Sequence, residues 1–98
     1  MFYSAGKVVI FDTAAGRIIG AVSAESEPHV LLQRPAVMDF KYGSDGLSHV
    51  PQLQPIAYAR NHYWVSWAGV RGHTEAYGEF LAAYETYLKE TEPASDAG

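Results

Sequence analysis

The chain has no cysteine, and that one absence removes a disulfide scaffold, a thiolate zinc site and a cysteine nucleophile together. Charge is sparse at 18% of residues, and acids lead, with 11 Asp and Glu against 7 Lys and Arg for a formal −4. An acidic balance runs against a protein that neutralises many phosphates of long DNA or RNA. No apolar run approaches the roughly 18 residues that span a membrane, and the first residues carry no basic-then-apolar leader pattern. The expectation is a soluble, cytoplasmic protein. What is present fits one packed domain: 98 residues, 48% hydrophobic and 13% aromatic.

The charge is unevenly spread. Up to Thr74 the bases Lys7, Arg17, Arg34, Lys41, Arg60 and Arg71 outnumber the acids Asp12, Glu25, Glu27, Asp39 and Asp45 by one. From Glu75 onward Lys89 alone faces Glu75, Glu79, Glu85, Glu90, Glu92 and Asp96, a balance of −5. The deficit therefore belongs to the end of the chain, and the body is near neutral.

That body reads as β. Lys7–Thr13 and Arg17–Ser23 are β-branched runs separated by Ala14-Ala15-Gly16, and a glycine that accepts positive φ suits a hairpin loop. Met38, Phe40 and Tyr42 alternate with Asp39 and Lys41, as a half-buried strand does. The stretch 43–46 is a turn by composition. Leu47–Leu53 is strand-like, with Pro51 directing it to an edge or a bend. Ala59–Trp67 reads as the last strand. Asn61, Tyr63, Val65 and Trp67 share one of its faces, and Arg60, His62, Trp64 and Ser66 the other. Each face carries a tryptophan; one belongs to the core, and the alternation leaves open which.

The end of the chain reads as a helix over about residues 74–90. Tyr77, Phe80, Leu81, Tyr84, Tyr87 and Leu88 fall on one stripe of a 3.6-residue period. Thr74 is the expected cap, with Glu75 at the positive end of the dipole. The stripe is read as packing against the sheet. Residues 93–98 form a flexible acidic tail beyond a single domain of residues 1–92.

Catalytic and metal chemistry find little support. His29, His49, His62 and His73 are 20, 13 and 11 residues apart, without the local spacing of metal ligands. No Gly-x-Ser-x-Gly elbow surrounds a serine, and 43–46 lacks Walker spacing. No cofactor is expected. The aromatic crowding of Tyr58, His62, Tyr63, Trp64 and Trp67 around Arg60 says more. One use for the outward tryptophan is to cover the helix or a neighbouring subunit. The other is to stack on a base while Arg60 or Arg34 takes a phosphate.

A hairpin is followed by Leu31-Leu32-Gln33-Arg34-Pro35-Ala36-Val37, the turn at 43–46, Val50-Pro51 and a final helix ending Tyr87-Leu88-Lys89. This order over about residues 7–90 resembles the small Sm-like proteins of phages and bacteria. The resemblance implies a mainly β fold with a C-terminal α-helix, a small five-stranded Sm-like (SH3-like) barrel. It implies a homo-oligomeric ring, often of six subunits, joined through edge strands. In phages some proteins of this type act as anti-defence sponges that sequester nucleotide immune signals. Eukaryotic Sm proteins differ: their helix is N-terminal and an Ile-Arg-Gly segment precedes the last strand. Here Val70-Arg71-Gly72 follows the strand read as last, so RNA-binding residues do not carry over.

The expectation is a non-enzymatic, oligomeric protein that holds a small, cyclic-type nucleotide at subunit interfaces, in the host cytoplasm if phage-encoded. Arg34, Tyr58, Arg60, His62 and Trp64 are the first candidates for contact, followed by His49 and Gln52. An Sm-like RNA-binding ring and a structural or protein-interaction module are the alternatives.

Overall fold

A computed structural model describes residues 3–42, 44, 46, 49–56 and 61–91, His49 by its backbone alone. Six strands precede one helix: β1 (Val8–Thr13), β2 (Gly16–Ser26), β3 (His29–Tyr42), β4 (His49–Pro55), β5 (His62–Ser66), β6 (Val70–Glu75) and α1 (Gly78–Glu90). A single 3₁₀ turn, Trp67–Gly69, links β5 to β6. The protein is mainly β with a C-terminal helix, as its sequence implies.

The first hairpin forms where the β-branched runs predict it. Its turn is the two residues Ala14-Ala15, and Gly16, at φ 128°, is already the first residue of β2. Thr13 holds the turn from its side chain. Its hydroxyl donates to the Gly16 carbonyl at 2.8 Å and accepts the Ala15 N–H at 3.2 Å. All pairings are antiparallel, and the strands run in the order β4-β3-β2-β1-β6. β3 is long enough to carry two partners in succession. Its residues 29–33 pair with β5, and its residues 36–42 pair with β4. Between the two stretches Arg34 takes φ +50° and Pro35 follows, which bends the strand. Among the described residues no ladder joins β4 to β6, so the hydrogen-bonded path is open.

Three readings are corrected. Among the described residues there are six strands where five were expected, because residues 70–75 form a strand that returns to β1 through Phe11↔His73 and Ile10↔Thr74. Val70-Arg71-Gly72 thus lies within the last strand. Thr74 and Glu75, read as the helix start, end that strand; α1 begins four residues later, behind Tyr77, without a side-chain cap. The physical reason is pairing: β1 offers an open edge, and its backbone bonds outweigh the local capping preference of a threonine. The strand read as Ala59–Trp67 is observed as His62–Ser66, and that read as Leu47–Leu53 as His49–Pro55. Ala59, Leu47, the tail 93–98 and most of the 43–46 turn lie outside the described residues.

Apolar residues are buried on both faces of the sheet. On one face Val9, Phe11, Ile18, Val22, Val30, Leu32, Ile56 and Val65 form a cluster that Tyr63, Trp67 and Val70 border. On the other, Ile19, Ala36, Met38, Ala76 and Tyr84 meet Phe80, Leu81, Tyr87 and Leu88 of α1. The helical stripe does pack on the sheet, as its period predicts, except for exposed Tyr77. Each large apolar side chain taken from water contributes about 1.5–3 kcal/mol. No helix among the described residues is long and apolar enough to cross a membrane.

Candidate functional site

The bend in β3 is the structural origin of the site. Arg34 is held in its left-handed conformation from three directions. Its N–H donates to the Asn61 carbonyl at 2.7 Å, which brings the start of β5 beside it. Its carbonyl accepts the Tyr84 hydroxyl at 2.9 Å, shared with the Gln33 carbonyl at 3.2 Å. Its guanidinium reaches the end of α1, donating through Nη2 to the Leu88 carbonyl at 3.3 Å and to Thr91 Oγ1 at 2.9 Å. A cation at a helix C-terminus satisfies last-turn carbonyls and complements the negative end of the dipole. Thr91 completes the cap: its hydroxyl donates to the Tyr87 carbonyl at 2.6 Å.

Around this junction lies a cleft of about 230 Å³ lined by Arg34, Pro35, Pro55, Ile56, Asn61, Tyr87 and Thr91. It offers a guanidinium, an amide, a hydroxyl and the half-buried ring of Tyr87. Burial pushes the Tyr87 phenol above its ordinary value, and the positive charge of Arg34 opposes the shift. Tyr84, beneath it, is only 1% exposed, and burial pushes its hydroxyl up to about 12. Both phenols stay neutral donors at physiological pH. Two arginine donors are occupied by the helix end, which leaves the rest of a five-donor fork for a ligand.

A second cleft, of about 200 Å³, shares Ile56 with the first. Its wall is apolar, from Ile18, Val37, Tyr63 and Val65, with the hydroxyl residues Thr13 and Ser66 at its margin. Among the described residues no charged one lines it. Trp64 borders this cleft, but alternation along β5 sends its indole to the face opposite Tyr63 and Val65. There it meets the His29 ring edge-on at 6.3 Å and is 53% exposed. Trp67, by contrast, packs against the buried cluster, its ring 5.2 Å from that of Phe11. The inward tryptophan is therefore Trp67 and the outward one Trp64.

The sequence candidates thus separate. Arg34 lies in the polar cleft. His62 is exposed on the Trp64 face, opposite Gln33. Gln52 sits on β4 opposite Asp39, on the sheet face that Val37 shares with the apolar cleft. His49 pairs with Tyr42 at the far end of the β3–β4 ladder. Tyr58 and Arg60 lie outside the described residues. Asn61, Tyr87 and Thr91 were not singled out for binding from the sequence. The available signal was Tyr87's place at the margin of the helical stripe. Among the described residues no cluster of three or more His, Asp or Glu is positioned to hold a metal ion.

The chain matches no protein-family model, and no curated protein matches it.

Proposed function

We propose that this protein is a non-enzymatic binding module for a small nucleotide-type ligand, which it sequesters without chemical change. The observation that carries the reading is the convergence of Arg34, Asn61, Tyr87 and Thr91 on one cleft. An aromatic ring can stack on a base, an amide can read its edge, and a guanidinium can take one phosphate by charge-assisted hydrogen bonds. Tyr58 and Arg60, adjacent in sequence to Asn61, are the further contacts this reading expects. Among the described residues the lining holds one arginine, and even with Arg60 added the positive charge suits a compact anion; a polymer would need a basic surface.

The same reading makes the domain a small Sm-like barrel working as a cytoplasmic oligomer, and a phage-encoded sponge for a nucleotide immune signal is its most specific form. The connection β5–3₁₀ turn–β6, with the last strand returning to pair with the first, supports that architecture. Titration calorimetry with cyclic di- and trinucleotides and ADP-ribose derivatives tests it. Heat is expected with at least one member, and Arg34→Met removes it while far-ultraviolet dichroism stays that of the native fold. Absence of heat across the panel overturns the reading.

One observation favours a second reading, a structural module without small ligand: Trp64 stands half-exposed on a regular strand beside an apolar wall.

A further inference from the structure

Among the described residues three strands have an open edge, and they differ in what they present. β4 carries Pro51 and Pro55, opposite Phe40 and Ala36. Prolines four apart share one edge of a strand, and with the ladder to β3 continuous their missing donors fall on the outer one. That edge is blunted against pairing. β6 carries Arg71 and Glu75, the latter bridged to Lys7 at 3.3 Å, and charges on an edge also discourage a second chain. β5 has neither device. His62–Ser66 contains no proline and no Lys, Arg, Asp or Glu, and among the described residues it pairs with β3 alone.

The hydrogen-bond phase of that edge follows from two bonds. Arg34 N–H donates to the Asn61 carbonyl and Trp67 N–H to the Pro28 carbonyl. These fix residues 61, 63, 65 and 67 as the positions bonded toward β3, because antiparallel pairs alternate between bonded and non-bonded. The N–H and carbonyl groups of His62, Trp64 and Ser66 consequently point outward. The apolar cleft runs along this same edge. Four consecutive β5 residues, Tyr63 to Ser66, border it, although alternate side chains of a strand face opposite ways.

We infer that the β5 edge is a homodimer seam, in which β5 of a second copy adds antiparallel about a twofold axis through Trp64. In that register His62 faces Ser66 of the partner subunit, Trp64 faces its own symmetry mate, and the three pairs exchange about six backbone hydrogen bonds. Every outward group of the strand is used. Between them Tyr63 stands opposite Val65 of the partner subunit, twice, at the non-bonded positions where side chains approach most closely. An aromatic against a β-branched residue is a favourable cross-strand pair, and these two line the apolar cleft. The seam carries no Lys, Arg, Asp or Glu, so self-association meets no repulsion between like charges of those residues. It brings the partner subunit beside Ile56 and hence beside the polar cleft. The seam does not depend on the ligand reading.

Sedimentation velocity over a concentration series, with two substitutions at the centre, tests this. The wild-type chain is expected to sediment as a dimer. Trp64→Thr keeps the outward N–H and should remain dimeric. Trp64→Pro removes the two central donors of the seam yet no bond to β3, and should be a folded monomer by far-ultraviolet dichroism and thermal melting. Should that variant unfold, isotope-filtered NMR of the wild type still decides, by a contact between the Hα protons of Tyr63 and Val65 across subunits. A monomeric wild type, a closed ring of more than two copies, a dimer indifferent to Trp64→Pro, or absence of that contact in the dimer each overturns the seam. Calorimetry on Trp64→Pro reads the ligand separately, so failure of the seam and failure of nucleotide binding are told apart.

Discussion

Tyr84 joins the helix to the bent strand, and Tyr84→Phe has a stability effect that should change sign with pH. At neutral pH the variant loses a buried hydroxyl bonded to the Gln33 and Arg34 carbonyls. Deleting one partner of such a bond costs about 1–2 kcal/mol. For a domain of this size each kcal/mol is about 4–8 °C of melting temperature. The alkaline side runs the other way. Burial raises the Tyr84 hydroxyl from 10 to about 12 in the native state, so the native state holds its proton while the unfolded chain loses it. The stabilisation is fully present below pH 10 and disappears as pH rises towards 12. By linkage the wild type loses about 1.4 kcal/mol from this group by pH 11, and at most about 2.7 kcal/mol above pH 12. Phenylalanine cannot ionise and escapes that loss. The difference between the proteins should therefore shrink from pH 9, vanish near pH 11 and reverse beyond it. Tyr3 and Tyr87, whose hydroxyls burial also raises, are present in both proteins and cancel in the comparison. Urea midpoints followed by dichroism from pH 7 to 11.5 measure it. A gap that stays constant over that range would refute the argument that Tyr84 is buried neutral at the junction.

Other substitutions test separate parts of the structure. Arg34→Met should cost about 1–2 kcal/mol and speed amide exchange in the last turn of α1, because the Leu88 carbonyl and Thr91 lose their cation; unchanged exchange there would show that the guanidinium is not the cap. Gly20→Ala should destabilise by about 1 kcal/mol, since an added Cβ would lie 3.3 Å from Leu32 Cβ and 3.4 Å from Pro35 Cα, and the fully buried Leu32 has little room to give. A variant as stable as the wild type in urea would mean that β2 and β3 are not that close. Leu32→Ala, at a fully buried position, should cost about 2–5 kcal/mol in the same assay.

Periodicity served the reading of the sequence where a side chain's neighbours lie on its own element. The first hairpin, the alternation around Met38 and Phe40, and the Phe80–Leu88 stripe were legible because period 2 or 3.6 is a local signal. β6 was not. Val-Arg-Gly-His-Thr-Glu carries neither β-branched density nor alternation, and it is a strand only because β1 presents an edge to it. Thr74 illustrates the consequence, since a good capping residue is ambiguous until the pairing partner is known. The site divides in the same way. Arg34 stood out as a cation able to take a phosphate, yet its occupation by the helix end depends on contacts 54 and 57 residues away. Asn61 and Thr91 belong to the cleft only because the bend in β3 gathers them.

That gathering constrains what the cleft can bind. The guanidinium faces the carbonyl end of a helix, whose partial negative charge disfavours a second anion unless the arginine remains between them. A ligand phosphate must accordingly share Arg34 with Leu88 and Thr91, using donors that the cap leaves over. Bulk negative charge would instead pull the arginine away and free the helix end. The acidic balance of the last 24 residues adds to this discrimination, because Glu85 and Glu90 belong to the helix that walls the cleft. A compact ligand that gives one of its phosphates to Arg34 and stacks a ring beside it fits these terms. A chain of phosphates does not, and the contrast is what separates a nucleotide sponge from an RNA-binding ring.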